Sequence, residues 1–530
     1  MFIEVYFKGF DNNIREVDLP VLKGIKDCVD AISTTHNVDG SSLPGLGTIG
    51  ESDIGVRPGR EQVGMFEQSR RPFPTLYVFG GVVDRADAKA KKLQGLSDTE
   101  AKYIDGTDVV LLKEKVVNNE SDAIDSSITD KVSKIMALKK SELHLAPRPY
   151  KDVAAAALEE LTSAMGNSST KLNIGPELEF FFVDKKDGKT PVQDGKIPYY
   201  GNIPVDMKSM MQAVLVKLKD LGVITEKFHH EVAEGQYEIP LKVTDALTQV
   251  ENLNITQAVL EAAADVFGLK VIFDAKPWGD RNGSGMHIHM SVSKNGKNIF
   301  DPKSSDGSIP GYQSHCGETY SPQSEAMIAS MIDNQISMQV LFNKVADAFC
   351  RLTANAETPR EVAYGYCNRS VAGRIPDRIS GAATRIENRT PSFDADKDLA
   401  IAYFALAFAE GIKNKTPSKP PVVGSAYEEG SVSELEKGAD NLSEVVTNFM
   451  AGRKKRQQAA PNSLFEKVFT PEVMILYFEG MLKEAESESV AKSVNDHLID
   501  PKIRENVAKQ NLAAIPVLKN AIEELKMEKK

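Results

Sequence analysis

The chain has 530 residues, of which 41% are hydrophobic and 26% charged, and its formal net charge is −11. This composition is typical of a soluble globular protein, and the length predicts roughly two to four domains. The negative charge argues against binding nucleic acid through a general positive field. The cysteines are scattered without a CxxC pair, the first residues lack a signal-peptide pattern, and no apolar run reaches the about 18–20 residues that span a bilayer. We therefore expect a cytoplasmic protein.

The first residues predict a β-hairpin that opens a small α+β domain over residues 1–84. Ile3, Val5 and Phe7 alternate with polar residues, and a second apolar run follows the turn at 11–13. The other elements expected in this domain are a helix over 22–34, a glycine-rich loop over 39–53 and a strand over 75–83.

Residues 85–145 are charged and rich in turns, which predicts a surface insertion with a helix over 129–139 and no visible chemistry. We expect a large core domain over 146–420 and a helical C-terminal part with an extension over 421–530. Apolar periodicity in these regions predicts helices at 150–165, 206–221, 244–267, 322–347, 397–413 and from about 509, and strands at 174–183, 270–274 and 285–293.

The strand predicted at 174–183 contains two carboxylates. Glu177 and Glu179 have the i, i+2 spacing that places both side chains on one face of a strand. Two like charges on a buried strand are costly unless protons or cations compensate them. The alternative is an edge strand with two solvated glutamates, and only further ligands elsewhere in the chain can decide between the two.

Other stretches carry groups of the same kind. Glu231 and Glu238 flank a glycine-containing turn that can bring both carboxylates to one wall. His287, His289 and Ser291 alternate onto one face of a predicted strand. Taken alone, a His-x-His pattern is more typical of an ordinary surface strand.

Arginines accompany these acidic groups. Arg385, Glu387 and Arg389 share one face of a short segment, which by itself is typical of a salt-bridge ladder. Further candidates in 351–374 are Arg351, Glu357, Arg369 and Arg374. Glutamates with a histidine suit Mg²⁺ or Mn²⁺, and arginines suit phosphates. Together the stretches indicate phosphoryl transfer from a nucleotide with metal ions neutralising the phosphates.

Six motifs, in the same order and with similar spacing over about residues 1–415, resemble the glutamine synthetase family, the type I-like glutamate–ammonia ligases. They are Asp-Gly-Ser-Ser (39–42), Gly-Pro-Glu-Leu-Glu (175–179), His-His-Glu-Val-Ala-x-Gly-Gln-x-Glu (229–238), Asn-Gly-Ser-Gly-Met-His (282–287), Asn-Arg-Ser with Arg-Ile-Pro (368–376) and Arg-Ile-Glu-x-Arg (385–389). The resemblance implies an α+β fold, with a small N-terminal β-grasp domain and a large catalytic domain whose curved antiparallel sheet is flanked by helices.

The resemblance also implies roles for individual residues. One Mg²⁺ or Mn²⁺ ion would be held by Glu179, Glu231 and Glu238, and another by Glu177, His287 and Glu387. Nucleotide contacts would come from Glu226, His289, Ser291, Arg374 and Arg385. The glutamate substrate would be held by Asn282, Gly283 and Arg351. Arg369 and Arg389 would clamp the transferred phosphoryl group. Asp39, Ser42, Tyr199 and Glu357 would form the ammonium site, with Asp39 as base and Glu357 on a closing flap.

By resemblance, the reaction joins ammonium to L-glutamate with ATP through γ-glutamyl phosphate. Phosphorylation turns a poor acyl donor into an activated one, and arginines and metal ions stabilise the leaving group. The implied assembly is a homo-oligomer, a dodecamer of two hexameric rings, with active sites shared between neighbouring subunits. No nucleic acid and no membrane are expected as partners.

Some positions depart from the family pattern, and other functions stay open. Ala382 replaces a basic residue before the Arg-Ile-Glu motif, and Val243 replaces an aromatic that often stacks on adenine, so nucleotide affinity is the property these changes touch. The adenylylation tyrosine motif is absent, and Tyr427 is a poor substitute.

Three other functions remain open besides the ligation of ammonia to glutamate. They are a γ-glutamyl–amine ligase that uses a larger amine, a non-catalytic ring-forming relative, and a metal-dependent phosphohydrolase.

Overall fold

The structure is a computed structural model. It describes residues 2–8, 14–20, 36–39, 53–65, 71–73, 75–83, 124–192, 199–201, 203–304, 309, 320–352, 358–377, 381–427, 435–460, 463–490 and 498–529. Several predictions lie outside these residues: the helix over 22–34, most of the glycine-rich loop and of the 85–145 segment, Ser42 and Glu357. Asp39 lies in a described strand, but its side chain is outside the description.

The described strands, in chain order, are β1 (Phe2–Lys8), β2 (Ile14–Pro20), β3 (His36–Asp39), β4 (Asp53–Met65), β5 (Thr75–Val83), β6 (Lys171–Asp184), β7 (His229–His230), β8 (Gln236–Pro240), β9 (Thr244–Asp245), β10 (Leu269–Ile272), β11 (Met286–Lys294), β12 (Lys297–Asn298), β13 (Tyr364–Tyr366), β14 (Gly373–Ile375) and β15 (Ile386–Asn388). The described α-helices are α1 (Ser126–Ala137), α2 (Lys151–Ala164), α3 (Val205–Asp220), α4 (Ala246–Phe267), α5 (Pro322–Met338), α6 (Ala346–Arg351), α7 (Lys397–Asn414), α8 (Leu442–Ala459), α9 (Leu464–Val468), α10 (Pro471–Ser487) and α11 (Pro501–Glu528). Within the described ranges, no helix combines the length and apolar character needed to cross a membrane.

The chain forms two compact units, each built from separate stretches of sequence. The first unit contains residues 1–145, 179–242 and 252–272, and the second contains 146–178, 243–251 and 273–530. The α+β prediction is confirmed, because the chain combines helices with sheets in which most of the described strand pairs are antiparallel.

The first unit opens with a mixed five-stranded sheet in the order β2-β1-β5-β4-β3. The predicted hairpin is confirmed: β1 and β2 pair antiparallel with Val5 opposite Val17. Strand β5 lies parallel to β1 on its other side, with Val78 beside Val5. These apolar side chains are buried, as the alternation in the sequence predicts.

The first unit also contains the hairpin formed by β7 and β8, in which His229 lies opposite Glu238. The turn between these strands requires Gly235, whose φ is +73° and whose added Cβ would lie 3.3 Å from the carbonyl oxygen of Phe182. The Glu231 N–H donates to the Gln236 carbonyl at 2.7 Å, which closes the turn. Glu231 and Glu238 are thereby brought to one wall, as the sequence predicts.

In the second unit, β11 is the central strand of the sheet that carries the motifs. It pairs antiparallel with the first part of β6 on one side and with β15 on the other, and β15 pairs antiparallel with β14. The sheet is not wholly antiparallel, because β13 runs parallel to β14. The predicted buried helix is confirmed in α7, whose residues 398–409 are all buried and which packs against α2 and α5.

Two predicted helices have different bounds. The helix expected over 322–347 ends at Met338, and a short 3-10 turn separates it from α6. In the intervening segment the buried Asn343 amide donates to the Thr390 carbonyl at 3.1 Å, a contact outside the helix. The C-terminal helix begins at Pro501 rather than near 509, because Asp500 caps it by accepting the Lys502 N–H at 2.7 Å.

Candidate active site

Three predicted metal ligands meet in the second unit, and we call them the His287 cluster: Glu177, His287 and Glu387. The register places His287 directly opposite Glu177 on neighbouring strands. Nδ1 of His287 lies 3.3 Å from Glu177 Oε2 and 3.6 Å from Glu387 Oε1. All three residues offer ligand atoms within 4.8 Å of one another.

Glu387 is fully buried between two guanidinium groups. Arg389 Nη1 lies 2.7 Å from Oε1 of Glu387, and Arg374 pairs with its other oxygen. Burial by itself would raise the pKa of Glu387, but Arg374 and Arg389 outweigh it and hold the pKa far below its ordinary range. Glu387 is therefore a fixed anion that also fixes two arginines.

His289 connects a further arginine to the cluster. Arg385 Nε donates to Nδ1 of His289 at 3.0 Å, and Nε2 of His289 lies 2.9 Å from Glu177 Oε1. Because a guanidinium only donates hydrogen bonds, Nδ1 is the acceptor and Nε2 carries the hydrogen shared with Glu177. Burial would raise the pKa of Glu177, but the hydrogen bonds from His287 and His289 hold it well below its ordinary value.

The His287 cluster fits a hard divalent cation. Two ionised carboxylates and an imidazole are a donor set that Mn²⁺ accepts, and Mg²⁺ takes the carboxylates. Neighbouring ligand atoms on an octahedral ion at about 2.1 Å lie about 3 Å apart. The separations of 3.3 and 3.6 Å from the imidazole to the two carboxylates are close to this spacing.

A second group of ligands lies in the first unit, and we call it the Glu231 cluster: His229, Glu231 and Glu238. Nε2 of His229 lies 3.3 Å from Glu238 Oε1, and its Nδ1 lies 3.8 Å from Glu231 Oε1. The three residues offer ligand atoms within 4.8 Å of one another. Burial, then Glu238 and Glu179, raise the pKa of Glu231 well above its ordinary value, since three carboxylates share this space. A cation here would relieve that repulsion.

His229 is the residue that the sequence reasoning missed in this group. The resemblance assigns Glu179, Glu231 and Glu238 as ligands, and the structure adds an imidazole to the two glutamates of the hairpin. The available signal was the spacing of His229 and Glu231, which is i, i+2 at the end of a strand.

Two tyrosines hold His229 in place. The Tyr200 ring stacks on the imidazole at a centroid distance of 4.1 Å, and the Tyr199 ring meets it edge-on at 5.8 Å. Lys227 Nζ donates to the Tyr200 hydroxyl at 2.6 Å. Tyr200 has a φ of +58°, a conformation that costs a non-glycine residue about 1–2 kcal/mol and is retained here under the stacked histidine. Tyr199, predicted at the ammonium site, thus lies beside the Glu231 cluster.

The residues predicted to hold the glutamate substrate lie close together in the second unit. An added Cβ at Gly283 would lie 2.4 Å from the Ala275 carbonyl and 2.6 Å from Arg351 Cγ, so only glycine fits. An added Cβ at Gly285 would lie 2.9 Å from His287 Nε2 and 3.0 Å from Arg351 Nη1. The Arg351 side chain therefore runs along this glycine segment toward the His287 cluster. Nη2 of Arg351 donates to the Thr390 carbonyl at 2.5 Å.

The other residues predicted to contact substrates differ in their exposure to solvent. Ser291 is half-buried on β11, Arg369 is half-buried after β13, Asn282 is half-buried before Gly283, and Glu226 is exposed in the first unit. Of the two departures from the family pattern, Val243 is 53% exposed, and Ala382 is exposed in a 3-10 turn. Neither fills a core, so neither substitution is explained by packing.

Comparison with known sequences gives relatives that are described as glutamine synthetases. The glutamine synthetase of Clostridium saccharobutylicum is 32% identical over 333 residues, which cover 62% of this chain and 65% of the relative. That of Thermus thermophilus is 35% identical over 260 residues, which cover 48% of this chain and 56% of the relative. The chain thus spans less than two thirds of the length of these two relatives.

Solved structures share the fold at low identity. A Plasmodium falciparum glutamine synthetase matches with a TM-score of 0.51 and 16% identity, covering 93% of this chain and 94% of that one. A structure described as a GmaS/ADP complex matches with a TM-score of 0.50 and 18% identity, covering 98% and 94%. The sequence profile described as "Glutamine synthetase, catalytic domain" matches residues 147–500, more than half of the chain. The chain therefore belongs to the glutamine synthetase family of ligases.

Proposed function

We propose that the protein joins ammonia to L-glutamate at the expense of ATP, through γ-glutamyl phosphate, and releases glutamine, ADP and phosphate. The observation that carries this proposal is the His287 cluster with its arginines. Glu387 is paired with both Arg374 and Arg389, and Glu177 is linked through His289 to Arg385. A cation site surrounded by guanidinium groups suits a nucleotide polyphosphate, whose oxygens need partners on all sides.

Two Mg²⁺ or Mn²⁺ ions, when bound, would neutralise phosphate oxygens as negative charge moves during the transfer. Glu177, His287 and Glu387 would hold one ion. Glu179, Glu231 and Glu238 would hold the other, and the position of His229 adds it as a candidate. The raised pKa of Glu231 supports a cation there, because the carboxylates repel each other without one.

The amino acid would be held by Arg351 and by the segment at Asn282 and Gly283. Arg351 is 1% exposed and lies against Gly283, so its guanidinium is held in one position before the substrate arrives. A fixed guanidinium pairs with a carboxylate at a smaller loss of conformational entropy than a mobile one. Arg369 and Arg389 would face the transferred phosphoryl group, and Arg374, Arg385, His289, Ser291 and Glu226 would contact the nucleotide.

For the second half of the reaction, Asp39 would take a proton from ammonium, since only neutral ammonia attacks the acyl phosphate. Ser42, Tyr199 and Glu357 complete the proposed ammonium site, with Glu357 closing it against water. We propose that Asp39 and Ser42 act in the site of a neighbouring subunit of a homo-oligomer, in a dodecamer of two hexameric rings.

The test is ADP release by the purified protein with ATP and Mg²⁺ or Mn²⁺. We expect release that requires both L-glutamate and ammonium and yields glutamine. Glu177→Ala should abolish it, whereas Glu479→Ala, an exposed glutamate on α10, should not. Turnover with putrescine or ethanolamine but not with ammonium would instead identify a γ-glutamyl–amine ligase. ATP hydrolysis at a rate that does not depend on glutamate would refute the proposed ligase activity.

A further inference from the structure

The C-terminal helix α11 lies beyond the segment that matches the family, which ends at residue 500. The two residues that precede it contact a segment next to the proposed substrate residues Asn282 and Gly283. The backbone N–H groups of Ile499 and Asp500 donate to the Pro277 carbonyl at 3.0 and 3.2 Å. In return, the Gly279 N–H donates to Asp500 Oδ2 at 3.0 Å. Residues 277–279 are therefore tied to the start of α11, three residues before Asn282.

The same helix packs on the element that carries Arg351. In α6, Ala346 and Cys350 form one apolar cluster with Leu498, Val507 and Ala508, all at most 8% exposed. Gln510 also donates to Cys350 Sγ at 3.8 Å. Arg351 is the last residue of α6. The position of this arginine is therefore coupled to α11 through its own short helix.

Helix α6 and the 275–283 segment also contact each other directly. The Ala275 N–H donates to Asp347 Oδ2 at 2.8 Å, and Gly283 lies against the Arg351 side chain without room for a Cβ. Two parts of the chain that are far apart in sequence thus lie in close contact. Helix α6 packs against α11, and the 275–283 segment is hydrogen-bonded to the residues at the start of α11.

We propose that Asp500 and helix α11 position the amino-acid subsite, by fixing the 277–283 segment relative to Arg351. This inference rests on the proposed function, which assigns Asn282, Gly283 and Arg351 to the glutamate substrate. Asp500 is a positioning residue, since its carboxylate contacts the Gly279 backbone and not the substrate residues themselves. Loosening it lets the segment and the arginine move apart, which weakens binding of the amino acid, while the nucleotide residues His289 and Ser291 on β11 and Arg374 on β14 stay in place.

The chain supplies its own probe for this motion. Trp278 is the only tryptophan. It lies between Pro277 and Gly279, is 8% exposed, and has the Arg281 guanidinium 5.1 Å from its ring centroid. Its fluorescence therefore reports on the segment that Asp500 holds, independently of turnover.

The experiment compares the full-length wild type with Asp500→Asn. The N–H groups of Lys502 and Gly279 donate to different oxygens of Asp500. Asparagine has only one acceptor oxygen, so one of these N–H groups would face an NH2 group instead. We expect the KM for glutamate to rise about fivefold to tenfold, as part of the loss of a charge-assisted hydrogen bond is transmitted to the subsite. The KM for ATP and kcat should change by less than about twofold. The glutamate concentration at half-maximal change of Trp278 fluorescence should shift by the same factor as the KM.

Two further variants separate positioning from general stability. Val507→Ala loosens the apolar contact with α6 without touching residue 500, and should give the same selective rise in the KM for glutamate. Thr470→Ala removes the comparable cap of α10, where Thr470 accepts the Val473 N–H, and should lower only the thermal midpoint.

Unchanged KM values in Asp500→Asn and Val507→Ala, beside a lowered thermal midpoint, would show that α11 only stabilises the fold and would overturn the inference. Equal rises in the KM for glutamate and for ATP would overturn it as well. If the wild type neither turns over glutamate nor changes its Trp278 fluorescence when glutamate is added, the proposed function is refuted, and the inference that rests on it is refuted as well. An active wild type with unaffected variants would refute the inference alone.

Discussion

A buried group of five charges in the first unit gives a prediction that depends on pH. Its members, which we call the five-charge cluster, are Glu4, Glu16, Asp18, Arg71 and Lys208. Glu4 pairs with Arg71 at 2.6 Å, and Lys208 Nζ lies 2.9 Å from Glu16 and 3.4 Å from Glu4. Asp18 lies opposite Glu4 in the β1–β2 pairing. Three carboxyls and two cations leave one negative charge in excess.

Asp18 is the member without a partner. It is fully buried, and among the residues that the structure describes no group hydrogen-bonds either of its side-chain oxygens. Burial, then Glu16 and Glu4, raise the pKa of Asp18 well above its ordinary value of 3.8, against the weaker attraction of Lys208 and Arg71. The folded protein therefore takes up a proton here that the unfolded chain releases.

The sign of the effect follows from this difference in proton binding. Between the unfolded pKa of Asp18 and its higher folded pKa, the folded state binds more protons, so stability falls as pH rises. The loss is about 1.4 kcal/mol for each pH unit in that window. Asp18→Asn removes the titrating group while keeping its shape. The variant should gain stability relative to the wild type by about that amount per pH unit, with no gain near pH 4.

The measurement is urea unfolding followed by circular dichroism, at steps of one pH unit from 4 to 8. A matched control is Asp398→Asn, since Asp398 is equally buried but accepts two hydrogen bonds from Arg148, at 3.0 and 2.5 Å. It should lose about 1.5–3 kcal/mol near neutral pH, because the partly buried Arg148 guanidinium loses its ionised acceptor. A pH-independent difference between Asp18→Asn and the wild type, or a variant less stable than the wild type at pH 8, would refute the reasoning.

Three further predictions concern the two metal clusters. Glu177→Ala and Glu179→Ala should both abolish turnover, but Glu177→Ala should weaken ATP binding more in calorimetry; equal losses would mean that the two ions are wrongly assigned. Glu387→Gln should lower the free energy of unfolding by about 3–5 kcal/mol, because Arg374 and Arg389 remain buried without their anion. The control is Glu177→Gln, since the Glu177 side chain is 22% exposed. A stability loss in Glu387→Gln no larger than that of the control would contradict this role of Glu387. Mn²⁺ added to chelator-treated protein at about a hundredfold excess over its dissociation constant should stabilise it by about 2.7 kcal/mol, and an unchanged thermal midpoint would speak against a metal site.

The sequence predicts which of these side chains in the second unit lie close together, because period-2 alternation along a strand is a strong local signal. His287 and His289 both contact Glu177, as their alternation on one strand face predicts. The turn at Gly235 also brings Glu231 and Glu238 together. Glycine and residue spacing encode these features within a few residues, so they can be read without knowledge of the tertiary structure.

Other features were not predictable, since they depend on contacts between distant parts of the chain. Nothing local marks Asp18 as a buried carboxyl that receives no hydrogen bond from the described part of the chain, because Glu4, Arg71 and Lys208 lie elsewhere in the sequence. His229 became a candidate ligand only through its position beside Glu238 on the paired strand. The start of α11 was placed too late, because the apolar period begins inside the helix whereas the cap at Asp500 sets its first residue.

The sheet register of the second unit is what turns separate motifs into one site. β11 places His287 opposite Glu177 and His289 opposite Glu387, and β14 places Arg374 opposite the same Glu387. Residues directly opposite on neighbouring strands share a face, so each pairing puts a ligand beside a ligand or a cation beside an anion. The alternate residues Met286, Ile288 and Met290 are buried on the other face. A slip of one residue would turn the ligands toward the apolar core and the methionines toward the other face of the sheet. The packing of these apolar side chains therefore sets the register of β11, and the register in turn determines which ligand side chains lie next to one another.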